Sequence, residues 1–154
     1  MSESRVEPWR RWALWIVLIG MTGTAIELAL LGHTEDRIQW LPLVLLALGL
    51  AAGLVLALRP TRRTATTFGV ITGVYVPTAG IGIYLHLKSN VEFELEMRPS
   101  MEGVELVREA LSGAMPALAP GAMAYIGLLG LLVWYGHPAL RKADFNTHGG
   151  QDEE

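Results

Sequence analysis

Glu27 is a carboxylate set in a run of otherwise apolar residues, and just beyond that run the chain turns through His33, Glu35 and Asp36. A second imidazole, His86, closes another apolar run. Imidazoles with carboxylates suit Zn, Cu(II), Ni or Mn. A carboxyl taken out of water has its pKa raised and holds its proton nearer neutrality. These five residues are therefore the candidate ligand- or ion-binding set. A metal ion is one reading of them. The other reading has them capping helix ends and facing interfacial water. A haem between His33 and His86 would need both imidazoles turned inward across a bundle. His137, just before Pro138, reads as interfacial.

Cysteine is absent, which removes disulfides, thiolate metal sites and cysteine nucleophiles. The chain carries no P-loop, dinucleotide fingerprint, GxSxG or HExxH motif. A non-enzyme with no resident cofactor is the expectation, a metal ion at the histidine–acid cluster being the exception.

Four apolar runs must position these groups. Only 18% of the residues are charged, against about 25% in a soluble domain, and about 20 apolar residues cross a bilayer core. The predicted fold is an all-α integral membrane protein, a four-transmembrane-helix bundle. Its domain covers 12–140, with spans at about 12–32, 40–58, 67–87 and 120–136. Residues 1–11 form a polar tail, and 141–154 read as a disordered one. A cleaved signal peptide competes for the first run, but that run exceeds the usual h-region and no small-residue cleavage site follows. Pro77 should kink the third helix.

Arg5, Arg10 and Arg11, then Arg59, Arg62 and Arg63, then Arg141 and Lys142 fall on one side of a four-span chain. The positive-inside rule makes that side cytoplasmic, so both termini are expected on the cytoplasmic side of the inner membrane. Trp9, Trp12 and Trp15 suit the membrane–water interface.

The insertion at 88–119 is then extracytoplasmic and acidic. Its VEFELEM segment alternates Val91, Phe93, Leu95 and Met97 with Glu92, Glu94 and Glu96, which predicts a strand. A lone strand needs a pairing partner, so Glu92, Phe93, Glu94, Leu95 and Glu96 are the candidate partner-binding residues. Ser100 is placed to cap a following amphipathic helix whose apolar stripe is Met101, Val104, Val107 and Leu111, with Gly113 as its stop.

Gly20, Gly23, Thr24 and Glu27 share one face of the first helix, so Glu27 is expected to point toward neighbouring helices. It would lie about 9 Å beneath His33. Gly49 and Gly53, Gly69 and Gly73, and Gly127 and Gly130 let helix backbones approach closely. Packing within the bundle is their first reading, and a partner helix or homo-oligomer the second.

Four short spans with a lone carboxylate in the first resemble the small multidrug-resistance transporters. That resemblance implies a dimer in which the carboxylate binds protons and cationic substrates, and Glu27 is the residue it carries over. The long connection after the third span, and Tyr75 and Tyr84 within that span, depart from the family's pattern. The sequence thus leads to an accessory or interaction subunit presenting an acidic outer loop and a polar pocket to a protein partner. The alternative is a small proton- or cation-coupled transporter or metal-binding membrane protein using Glu27, His33 and His86. Its surroundings are the lipid bilayer and another protein or a second copy, not nucleic acid.

Overall fold

The structure, a computed structural model, describes residues 6–113 and 115–140. Arg5, Arg141, Lys142 and the tail at 141–154 lie outside the described residues. The described chain is all helical: α1 (Val6–Leu30), a 3-10 turn (Arg37–Gln39), α2 (Trp40–Leu58), α3 (Arg62–Met97), α4 (Gly103–Leu111) and α5 (Gly121–Trp134). Helix α1 pairs with α2 and α5, and α3 pairs with α2 and α5, most extensively with α5. The four helices therefore close into a ring, while α4 packs on α3 alone. The distal end holds the α1–α2 turn and α4. The proximal end holds the start of α1 and the arginine-rich α2–α3 turn.

Three helices, α1, α2 with its leading turn, and α3, are long and apolar enough to cross a membrane, which fits a multi-pass membrane protein. Helix α5 has 14 residues, about 21 Å of rise, short of a bilayer core of about 30 Å. Each of the four long helices exposes large apolar side chains: Trp12, Ile19, Leu48, Val70, Ile81 and Leu128 are all exposed. A soluble monomer rarely leaves so much contiguous apolar surface to water.

Inside, Leu14, Val17, Leu18 and Met21 form the buried stripe of α1 at three- and four-residue spacing. They meet Leu46 and Leu56 of α2, Phe68 and Tyr75 of α3, and Met123, Ile126 and Val133 of α5. The glycines make this packing fit. A Cβ on Gly49 would lie 1.9 Å from the Tyr75 hydroxyl, and one on Gly53 would lie 2.6 Å from Leu18. A Cβ on Gly69 would likewise lie 2.5 Å from the Trp134 indole, and one on Gly130 2.5 Å from Thr72. Tyr75, fully buried, sends its hydroxyl across to the Leu45 carbonyl at 2.8 Å. These small residues are filled from within the bundle, as their first reading expects.

The predicted strand is a correction. VEFELEM is the last two turns of α3, which runs unbroken for 36 residues. Glu, Leu and Met are strong helix formers, and lengthening an established helix avoids the cost of nucleation. Ion pairs at helical spacing reinforce it: Lys88–Glu92 at 3.5 Å and Glu94–Arg98 at 2.9 Å. Seven alternating residues carry the strand pattern, but an isolated strand leaves its backbone groups without partners, whereas the helix satisfies them internally. The third span is thus not confined to 67–87. At 36 residues, α3 rises about 54 Å, so it projects about 24 Å beyond a bilayer core.

The remaining boundaries shift in smaller ways. Helix α1 begins at Val6, so half of the expected 1–11 tail is helical. The N-cap position of α4 is Glu102, which makes no side-chain capping bond, and not Ser100. Its expected apolar stripe splits. Met101 is buried, but Val104, Val107 and Leu111 face outward while Ala110 is the residue turned onto α3.

Candidate functional site

Helix α1 ends in a glycine-terminated hydrogen-bond pattern that fixes His33. Gly32 takes φ +66, a conformation that costs glycine little. Its amide donates to the Ala29 carbonyl at 3.2 Å, and the His33 amide donates to the Leu28 carbonyl at 3.0 Å. This is the Schellman arrangement, with His33 as its last residue. The turn then closes on itself. Asp36 accepts from the Arg37 amide at 2.6 Å, and the Gln39 side chain accepts from the amides of Glu35 and Asp36 at 2.9 and 3.2 Å.

His86 lies on α3 at the same level. Its Nδ1 is 3.2 Å from the Pro116 carbonyl, in the connection between α4 and α5. The His33 and His86 rings stand 6.4 Å apart, centroid to centroid, tilted by 51°. Both imidazoles are half-buried. Burial, and then the neighbouring His86, lower the His33 pKa below its ordinary 6.5. The stability linked to neutral His33 is therefore complete above pH 6.5 and is lost as pH falls through the lowered value.

The five expected ligands do not converge. Histidines 33 and 86 come together, but Glu35 and Asp36 are exposed and Asp36 is committed to capping the 3-10 turn. Among the described residues no three metal-ligating side chains form a group. Glu27 is exposed on the outward flank of α1 and does not turn toward the neighbouring helices. Gly20, on the same flank, packs against Ile126 of α5, while Gly23 has nothing within 4 Å of where its Cβ would lie. Helical spacing correctly put the small residues and Glu27 on one side. That side is the rim of the α1–α5 seam and not the interior.

The expected partner-binding residues also separate once their period is helical. Glu94 turns inward, and Arg98 draws in Glu94, Glu105 and Glu109 at 2.9, 3.7 and 3.7 Å. Glu92, Phe93, Leu95 and Glu96 remain exposed. Comparison with protein-family models, with curated proteins and with solved structures finds no match to this chain. The site is therefore read from its own geometry.

Two positioning residues carried no signal in the sequence. Asn90, buried on α3, donates to the Ala110 and Met115 carbonyls at 2.8 and 2.7 Å and accepts from the Met115 amide at 3.2 Å. It fastens α4 and the following connection to α3. A Cβ on Gly113 would lie 2.8 Å from the Asn90 side chain, so Gly113 makes room for this clamp and is not merely a helix stop. Arg10, read from sequence as part of a basic tail, is buried instead. Its guanidinium bonds to the carbonyls of Val133, Tyr135 and Gly136, the last at 3.2 Å. Trp134 is level with Gly69, seven residues or about 10 Å above the start of α3. Helix α5 thus stops short of the proximal surface, and its open carbonyls would lack partners in an apolar layer. Arg10 reaches up from α1 and satisfies them.

Proposed function

We propose that this chain is a small four-span subunit of the cytoplasmic membrane that docks a partner membrane protein. The observation that carries the reading is the exposed carboxylate of Glu27 on an otherwise apolar outward surface. A charge at the bilayer centre costs about 2.5–3.5 kcal/mol on insertion scales, and less toward the interface. The bundle does not take Glu27 inside, so a donor from a neighbouring protein relieves this cost. Open space beside Gly23, one turn earlier, allows a second helix to come close.

Other features support the same reading. Arg59, Arg62 and Arg63 are exposed at the proximal end, which favours a cytoplasmic location for that end. The α3–α4 hairpin then stands on the opposite side. It displays Glu92, Glu96, Phe93, Met97, Val104 and Val107, all exposed, as a mixed acidic and apolar surface. Contact there is between helix faces and not by strand addition. Helix α5, with the turns that flank it and the Arg10 cap, serves as the fourth span. A transport reading asks Glu27 to share a polar cavity with His33 and His86, and its outward placement favours docking.

Purification of the tagged chain from its native membranes, followed by mass spectrometry, tests the proposal. The wild type should retain a stoichiometric membrane protein. Glu27→Lys should lose it at least about tenfold, as when a charge pair becomes a like-charge clash. Equal retention by wild type and variant would remove Glu27 from any docking face.

A further inference from the structure

We propose that His33 and His86 form a two-histidine site for a first-row transition-metal ion, Zn(II), Ni(II) or Cu(II), that ties the α1–α2 turn to α3. This goes beyond the docking reading and does not depend on it. Imidazole is a favoured ligand for these ions, and affinity in this series peaks at copper.

Three observations converge on the pair. First, the ligands come from separate elements, each held in place: His33 by the hydrogen-bonded end of α1, His86 by the long helix α3. Second, the 3.2 Å contact of His86 Nδ1 with the Pro116 carbonyl fixes the tautomer, because a carbonyl only accepts. Nδ1 carries the proton, and Nε2 is left with its lone pair. Orientation of a ligating histidine through a bond from its other nitrogen to a carbonyl is the usual support for such ligands. Third, the ring centroids are 6.4 Å apart. Two imidazoles sharing one ion at about 2.0–2.1 Å per nitrogen place their centroids roughly 5–6.5 Å apart, depending on the angle at the metal. The observed separation lies at the wide end of that range, which corresponds to a wide angle at the metal.

With no third protein ligand grouped at the pair among the described residues, water fills the remaining coordination positions. Glu35 and Asp36 contribute negative potential from the same turn, and Lys88 on α3 is drawn away by Glu92. A bound ion would bridge the first inter-helix turn to the helix that carries the distal hairpin. Through Pro116 it would also stiffen the connection into α5.

The full chain, free of any histidine tag and stripped with a chelator, should be titrated separately with Cu(II) and Zn(II) by calorimetry in detergent. The wild type should bind one ion per chain. Cu(II) bound to it should show two-nitrogen hyperfine structure in electron paramagnetic resonance. His33→Gln and His86→Gln should each weaken binding at least about tenfold, while His137→Gln binds as the wild type. His33 makes no side-chain hydrogen bond that the fold needs, so its variant reports on metal even where His86→Gln loosens the Pro116 contact. Absence of binding to the wild type would overturn the proposal. So would undiminished binding by His33→Gln, or loss confined to His137→Gln.

Discussion

The residue that most changes the account of this chain is Arg10. A sequence reader assigns it with Arg5 and Arg11 to a cytoplasmic charge cluster, because nothing in MSESRVEPWRR separates one arginine from the next. The structure buries it and turns it onto the carbonyls at the end of α5. Cations at helix C-termini are favourable because the dipole leaves negative partial charge there. The larger effect here is satisfaction of carbonyls that an apolar layer would leave unpaired. Each buried group left unsatisfied costs about 1–3 kcal/mol. Arg10→Ala is therefore expected to destabilise the bundle by about 3 kcal/mol or more, read as a lowered unfolding midpoint by circular dichroism in micelles. Arg11→Ala, at an exposed position, should leave the midpoint where it was. Arg10→Lys should recover only part of the loss, since one ammonium cannot reproduce the planar fork.

At the scale of elements, the apolar runs and the turns between them were legible in the sequence because hydropathy and punctuation act locally. The end of α3 was not. Val91 to Met97 satisfies the strand pattern and the helix pattern alike, and what decides between them is the helix already running into it. Spin labels at Lys88→Cys and Glu96→Cys, both exposed positions, should lie on backbones about 12 Å apart for helix. An extended segment would separate them by about 26 Å, which double electron–electron resonance distinguishes easily. The glycine faces were legible as close-approach sites, but not what fills them. Gly49 is a slot for Tyr75 and Gly53 a slot for Leu18. Gly49→Ala is expected to cost about 1–3 kcal/mol by overpacking against the tyrosine ring. Tyr75→Leu should recover part of that loss in the double variant, and a thermodynamic cycle in micelles measures the coupling. Gly23→Ala, facing open space, should be close to neutral.

For the whole molecule, the bundle explains why one carboxylate stands apart. The ring of α1, α2, α3 and α5 is closed by apolar stripes, glycine slots and the Arg10 cap, and none of these involves Glu27. Spacing alone identified its flank correctly, while its outward direction depended on where α5 ends and how far α1 overlaps it. Both are tertiary facts. The meeting of His33 and His86 was foreshadowed by their positions at matching helix ends, whereas the scattering of Glu35 and Asp36 followed from local capping. The central claim, that the Glu27 flank docks another membrane protein, is tested most directly by photo-crosslinking in native membranes. A photoreactive residue at Gly23 should capture one discrete protein, whose mass identifies a partner or a second copy. The same residue at exposed Val44 on α2 should capture only lipid. Lipid-only products from both positions would contradict the account.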